Sequence, residues 1–226
     1  MKTMSKLMLV GAVAVSMLFS GSVSAQSDST DKVQVVTGVD LYSNYVWRGS
    51  IQSMGPNLQP SIKMVAGGLT IGVWGSTSVV ENFIEADPYV SYSFPFGLSL
   101  GVTSYFYPSK GGSFFSDSAH APEINLGFTK GAFSLSANYI LTESSVPASA
   151  GGDMYFQAGY TFSKFSAFVG GGNGWHTSDG EFMICNVGIG SSKTIEITDK
   201  FSIPVTGQIV INPEKEQMFL VVGLTF

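Results

Sequence analysis

The chain has 226 residues, a formal net charge of −5 and only 12% charged residues, about half of the charged fraction that is usual in a soluble domain. An acidic balance without any cluster of Lys and Arg excludes a nucleic-acid-binding protein. The single cysteine excludes an intrachain disulfide and a metal site built from cysteines, and no cofactor is expected.

The N-terminus is predicted to be a secretory signal peptide over residues 1–25. Lys2 and Lys6 lead into an uncharged stretch over 7–19, and permissive residues precede the predicted cut after Ala25. This stretch is shorter than the roughly 20 residues that a membrane-spanning helix needs. We therefore expect export, followed by removal of the signal peptide.

A hydropathy period of two runs through almost all of the remaining chain. After a short tail over 26–32, apolar and polar residues alternate in twelve stretches, which is the pattern of β-strands. Single-chain bacterial barrels require an even number of strands, and ten or fourteen are the alternatives to twelve. The predicted strands cover 35–48, 58–66, 69–77, 83–93, 98–107, 122–129, 132–141, 154–162, 165–171, 182–197, 201–211 and 217–226.

The connections between these stretches alternate between short and long, as do the periplasmic turns and outer loops of outer-membrane barrels. An open sheet edge would leave unpaired backbone groups in lipid, so the sheet is expected to close. The sequence therefore predicts an all-β fold, an antiparallel up-and-down transmembrane β-barrel of twelve strands over residues 33–226. Its expected location is the bacterial outer membrane, where it would be surrounded by outer-membrane lipids.

The stretch over 182–197 is longer than the roughly 10 residues that one bilayer crossing needs. Unbroken alternation would direct Lys193 towards lipid, at a cost of about 2–4 kcal/mol near the bilayer midplane. Either a bulge near Ser191 and Ser192 changes the phase of the strand, or Lys193 lies close enough to the lower interface to reach water. The sequence leaves both alternatives open.

The C-terminal stretch has one continuous apolar face that ends on an aromatic residue. This face is predicted to contact lipid, and to carry the assembly signal that the barrel-assembly machinery recognises. Its residues are Leu220, Val222, Leu224 and Phe226.

A motif near the end of the first predicted strand consists of Ser43, Tyr45, Trp47, Arg48, Gly49 and Gln52. It resembles the opening signature of the TorF-type porin family, in which the pattern is roughly Ser-x-Tyr-x-aromatic-Arg-Gly-x-x-Gln. The segments 192–195 and 201–205 are also similar to members of that family. The resemblance implies an outer-membrane barrel with a pore, and it implies no defined substrate.

Six charged residues are predicted to point into the barrel by the phase of the alternation. Arg48 is the only arginine, and it is expected at the outer end of the first strand. It can place a charge in a pore constriction, or it can form an ion pair in a filled interior, because small barrels fill their interiors with side chains. The pore-lining candidates are Asp40, Arg48, Lys63, Glu85, Asp87 and Glu123.

Three functions are compatible with this sequence. The leading one is a porin that allows passive diffusion of small solutes, and the second is a non-conducting barrel that supports the envelope or presents loops to a partner. The third is an outer-membrane lipid hydrolase that would use His176 with Ser178, but this pair is expected on a solvated loop tip, where catalytic groups are poorly held. We therefore expect no enzyme, no catalytic residues and no metal site, and the oligomeric state is undefined.

Overall fold

Twelve antiparallel strands close into a barrel in the computed structural model, which describes residues 33–146 and 148–226. Each wall strand pairs with the next one in sequence, and the last pairs with the first. The predicted all-β, antiparallel up-and-down barrel of twelve strands is therefore confirmed. The signal peptide predicted over 1–25 and the tail predicted over 26–32 lie outside the described residues.

Two further strands, β2 (Tyr45–Trp47) and β3 (Ser50–Ser53), pair only with each other and form a separate two-stranded sheet. The wall strands are β1 (Gln34–Tyr42), β4 (Asn57–Ala66), β5 (Leu69–Ser78), β6 (Ile84–Ser93), β7 (Leu98–Phe106), β8 (His120–Lys130), β9 (Phe133–Ile140), β10 (Met154–Thr161), β11 (Ser166–Gly172), β12 (Met183–Thr198), β13 (Phe201–Asn212) and β14 (Gln217–Thr225).

The two faces of the barrel wall carry opposite chemistry. On β4, Ile62 and Met64 point outward and are 52% and 48% exposed, whereas the inward side chain of Gln59 is 2% exposed. The same alternation continues around the barrel, with apolar side chains exposed outside and amide and carboxylate side chains buried inside. An apolar outer band of this kind is compatible with the hydrocarbon core of a membrane. In water, the same band would be a large exposed apolar patch.

The two ends of the barrel differ in their connections. The C-terminus and five short connections lie at one end, which we call the short-turn end, and the six longer connections lie at the other, the loop end. The short connections are 67–68, 94–97, 131–132, 162–165 and 199–200, and the longer ones are 43–56, 79–83, 107–119, 141–153, 173–182 and 213–216. No helix in the described ranges has the length and hydropathy needed to cross a membrane.

The barrel closes between β1 and β14. Leu41 lies opposite Leu224 in this seam, and the backbone groups of Val39 and Phe226 exchange hydrogen bonds of 3.3 and 2.9 Å. The apolar face predicted for the C-terminal strand points outward, where Leu220, Val222 and Phe226 are exposed and Leu224 is half-buried. The terminal aromatic residue is therefore part of the seam that completes the sheet.

The long strand β12 continues past the barrel wall at the short-turn end. Its pairing with β13 is continuous from Val187 to Glu196, so the sheet has no bulge at Ser191 and Ser192. The neighbouring β11 stops pairing at Gly190, and β14 reaches only the level of Val205, which lies opposite Lys193. Lys193 is therefore exposed at the margin of the wall at the short-turn end. Of the two alternatives, this position agrees with a lysine that reaches water and not with a bulge.

Candidate functional site

The chain turns into the barrel after β1 and fills its loop end with a hairpin. The continuous first strand predicted over 35–48 is wrong beyond Tyr42, because the chain leaves the wall at this residue. We call residues 45–53 the plug hairpin. Asn44 ties its two ends together, since Asn44 Oδ1 accepts a hydrogen bond of 3.1 Å from the backbone of Gly55.

Arg48 lies at the tip of the plug hairpin and forms an ion pair with the barrel wall. Its two terminal nitrogens donate hydrogen bonds of 2.6 and 2.8 Å to the two carboxylate oxygens of Glu123, whose side chain is 0% exposed. The same carboxylate accepts hydrogen bonds from Tyr105 Oη at 2.8 Å and from Asn125 Nδ2 at 2.6 Å. Bidentate pairs of this kind are among the strongest hydrogen-bonded contacts in proteins.

Aromatic rings enclose the guanidinium group of Arg48. Its Cζ atom lies 4.4 Å from the ring centroid of Trp47 and 4.5 Å from that of Tyr155. Trp47 in turn packs edge-on against Tyr105 and Trp175, with ring centroids 5.2 and 5.5 Å apart. The charge is thus removed from water and held by cation–π contacts as well as by its carboxylate partner.

His176 belongs to the same cluster. Its Nε2 atom accepts a hydrogen bond from Trp175 Nε1 at 3.0 Å and lies 3.4 Å from Arg48 Nη1. Both neighbours can only donate, so Nε2 carries no proton and the ring is neutral. Burial, followed by the charges of Arg48 and Lys215, lowers the pKa of His176 well below its ordinary value.

The solvated loop tip predicted around His176 is wrong, because its side chain is only 2% exposed. The predicted pair with Ser178 is not formed, since His176 contacts the plug hairpin while the backbone N–H of Ser178 donates to Glu214 at 2.8 Å. His176 is therefore part of the closed loop end of the barrel.

Backbone contacts hold the tip of the plug hairpin against the wall. Gly49 has a φ of +80°, and a Cβ atom at this position would overlap the carbonyl oxygen of Cys185. Asn212 Nδ2 donates a hydrogen bond of 3.1 Å to the carbonyl of Gly49, and Lys215 Nζ donates one of 3.1 Å to Ser50 Oγ. A glycine is required here because only glycine accepts both the backbone conformation and the close approach.

The remaining predicted pore-lining charges take different positions. Glu85 and Asp87 lie side by side on the inner face of β6 and are buried. The side chains of Tyr45 and Tyr107 lie close to Glu85. Asp40 lines the open part of the lumen, and Lys63 lies on the inner face of β4. Arg48 and Asp87 border the lumen, and Glu123 holds Arg48 in an ion pair at the plug hairpin. That these charges line a pore stays a prediction.

A cavity of about 420 Å³ lies in the lumen beneath the plug hairpin. It reaches from Trp47 and Arg48 down to Phe94, Gly97 and Thr129 at the short-turn end. Amide and hydroxyl groups dominate its polar lining, which includes Asn125, Asn138, Gln157, Asn186, Gln208, Ser134 and Ser136. In the described part of the chain, no group of three His, Cys, Asp or Glu side chains is placed to hold a metal ion.

Several residues of the site were not predicted. Tyr105 and Asn125 lie on the inner faces of β7 and β8, and the alternation that places Glu123 inward also places Asn125 inward. This signal was available in the sequence. Trp175 has no such signal, because it lies in a loop that folds back into the barrel.

Residues 25–198 match the family model Gcw_chp, described as a bacterial protein of unknown function, and the chain belongs to this family. No curated protein matches the chain.

Among solved structures, the chain is similar to outer membrane phospholipase A from Escherichia coli, with a TM-score of 0.40, 10% identity and coverage of 84% of this chain and 91% of that one. The outer membrane phospholipase dimer of Salmonella typhi matches with a TM-score of 0.39 and 10% identity over 84% and 89% of the two chains. A mutant of the Rh. blastica porin matches with a TM-score of 0.34 and 9% identity over 86% and 99%. Similarities this weak carry no argument about activity.

Proposed function

We propose that this member of the Gcw_chp family is an exported outer-membrane barrel with a lumen that is closed at rest. Small solutes would cross it passively, and only when the plug hairpin leaves the loop end of the lumen. The function is therefore that of a gated pore, in keeping with the TorF-type porin resemblance of the motif that forms the hairpin. No chemical reaction is assigned to the lumen.

The ion pair between Arg48 and Glu123 is the observation that carries this proposal. A fully buried carboxylate on the wall meets the only arginine of the chain at the tip of an inserted segment. Such a pair is stable while both partners are present and costly once one partner is withdrawn. This makes the hairpin a discrete element with a defined closed position.

The outer face supports placement in the membrane. Exposed apolar side chains form a band around the wall strands, and the lipids of the outer membrane are the partner that would cover this band. We also propose that the barrel-assembly machinery recognises the C-terminal apolar face, which consists of Leu220, Val222, Leu224 and Phe226.

A second function remains, that of a non-conducting barrel. The observation in its favour is the size of the packed loop end, in which Tyr45, Trp74, Phe83, Tyr105 and Tyr107 form one buried cluster. If this cluster never opens, the protein supports the envelope or presents its loops, and it carries no solute.

Conductance in planar lipid bilayers separates the two functions. We expect the full-length barrel to show rare unitary currents, and a variant with residues 45–53 replaced by a Gly-Ser linker to show steady ones. The matched control replaces residues 195–203, a nine-residue segment outside the wall, and should behave like the parent protein. Folding of each variant is checked by its heat-dependent gel mobility.

Two results would contradict the gated pore. A parent protein that conducts steadily has no closed state, and the hairpin is then no plug. A hairpin-free barrel that is folded yet silent has a lumen closed by other groups, which favours the non-conducting barrel.

A further inference from the structure

A serine and a histidine form a hydrogen-bonded pair on the outer face of the wall, away from the plug hairpin. Ser104 Oγ lies 2.9 Å from His120 Nδ1. Both residues lie near the loop end, Ser104 two positions before the end of β7 and His120 at the first position of β8. Ser104 points outward because its neighbours Thr103 and Tyr105 are buried inside the lumen.

The surroundings of His120 leave its Nδ1 atom free to act as a base. Its Nε2 atom lies 2.8 Å from the backbone carbonyl oxygen of Phe114, which can only accept a hydrogen bond. Nε2 must therefore carry the proton, and the lone pair on Nδ1 accepts the hydroxyl proton of Ser104. A nucleophile, a base and a third group that orients the base are the parts of an activated serine.

The imidazole ring of His120 is also fixed in position. It stacks on Phe106 with ring centroids 4.9 Å apart and an angle of 14° between the planes. Phe114, from the loop that folds over this surface, meets it edge-on at 5.2 Å. The pair therefore has the packing support that a solvated loop tip lacks.

An apolar groove of about 510 Å³ on the outer face reaches Ser104. Two rows of outward side chains border it across β4, β5, β6 and β7, a distance of roughly 14 Å for three strand spacings. Its apolar lining consists of Ile62, Met64, Ile71, Val73, Val90 and Val102. Because the groove lies in the band that faces lipid, its natural occupant is the acyl chain of a membrane lipid.

The wall is locally open beside the serine. The ladder between β6 and β7 ends at the pair of Tyr89 and Thr103, and the N–H of Phe106 donates to the carboxylate of Asp87 instead of to a backbone carbonyl. Pro88 borders the groove next to Ser104, and Pro122 lies opposite Ser104 on β8. Neither proline offers an N–H group, so the serine lies at an interruption of the sheet.

We propose that Ser104 is a nucleophile and His120 its general base, in a site that hydrolyses acyl esters of membrane lipids with the acyl chain in this groove. This activity is separate from the pore, and it departs from the expectation that the protein is not an enzyme. The ester groups of lipids lie at the membrane interface, which is the level at which the loop end of the wall is expected.

The reaction needs only the lipid and water. Ser104 Oγ forms a bond to the ester carbonyl carbon while its proton passes to His120 Nδ1. The ester C–O bond then breaks, and the proton passes from His120 to the departing alcohol oxygen. Water repeats the sequence: it gives a proton to Nδ1, attacks the acyl-serine and releases the fatty acid, and the proton returns to Ser104.

A fluorophosphonate probe tests the nucleophile directly, because it forms a stable bond to an activated serine with loss of fluoride. The folded full chain in detergent micelles is incubated with the probe, and the modified residue is identified by mass spectrometry. We expect labelling at Ser104, none in Ser104→Ala, and a rate at least about 100-fold lower in His120→Ala, since a general base contributes roughly 10²–10⁴. Ser191→Ala is the matched control, because Ser191 is an outward serine that bonds a carbonyl and no imidazole.

Turnover is measured as fatty acid and lysolipid released from phosphatidylethanolamine vesicles that contain the barrel. Release that is lost in Ser104→Ala and His120→Ala and kept in Ser191→Ala supports the proposal. A folded parent protein that is not labelled at Ser104 overturns it. Equal labelling of Ser104 and Ser191, labelling that does not depend on His120, or labelling without any lipid release also overturns it.

Discussion

The energetic role of Arg48 can be tested by removing its charge while keeping most of its volume, as in Arg48→Met. Glu123 would then be a fully buried carboxylate that retains only the hydrogen bonds from Tyr105 and Asn125. Removal of one partner from a buried pair costs about 3–5 kcal/mol. The two remaining donors favour the lower end of this range, and about 3 kcal/mol corresponds to a change of roughly 100-fold in the ratio of closed to open barrels.

The assay is the open probability of single barrels in planar bilayers at fixed voltage. We expect it to rise by about two orders of magnitude in Arg48→Met. The double variant Arg48→Met/Glu123→Gln removes both charges and should recover part of the closed state, because the uncompensated carboxylate is gone. This role of Arg48 is refuted if Arg48→Met folds and opens no more often than the parent protein. It is also refuted if the effects of Arg48→Met and of Glu123→Gln alone add up to that of the double variant without any coupling.

Three further predictions concern the tip, the histidine and the C-terminus. Gly49→Ala should raise the open probability, since its Cβ atom would overlap the carbonyl oxygen of Cys185. Gly67→Ala should leave the currents unchanged, because no atom lies within 4 Å of the Cβ position there. The pKa of His176 is lowered in the closed state, so the opened state takes up a proton more readily. Closure should therefore weaken as the pH falls below about 6.5. Recordings from pH 8 to 5 should show this effect, and His176→Gln should lose it. Deletion of Phe226 should reduce the yield of folded barrel in isolated outer membranes, while Phe96→Ala, an exposed aromatic at the same end, should not.

The wall of the barrel could be predicted because its physics is local. Outward Ile62 is followed by inward Lys63, and inward Glu123 is followed by outward Ile124. This period of two can be seen in the sequence from adjacent positions alone. Closure follows from the same pattern, since a sheet with an apolar outer face and polar edges cannot stay open in lipid. Neither inference needs to know which distant residues meet.

The plug hairpin could not be predicted for the corresponding reason. The alternation continues from Val39 through Tyr45 to Trp47, because β2 is also a strand, and a period of two does not show that the chain has left the wall. The contact that decides the matter joins Arg48 to Glu123, 75 positions apart, and to His176, 128 positions apart. Only the closed barrel brings these residues together.

The pair of Ser104 and His120 was missed because its two members lie 16 positions apart on different strands. The sequence draws attention to His176, which has a serine two positions later, but that proximity along the chain is not proximity in space. The register of β7 and β8 places Ser104 opposite Pro122 and Phe106 opposite His120, so the two side chains meet diagonally across one strand spacing.

Strand β8 links the two sites and allows them to be separated by experiment. His120 points outward and Glu123 points inward, because an odd number of positions along a strand leads to the opposite face. Arg48→Met should change the current and leave the labelling of Ser104 intact. Ser104→Ala should abolish labelling and leave the current intact. A variant that altered both readouts together would show that the inner and outer faces of β8 act as one unit, and the two functions could then not be independent.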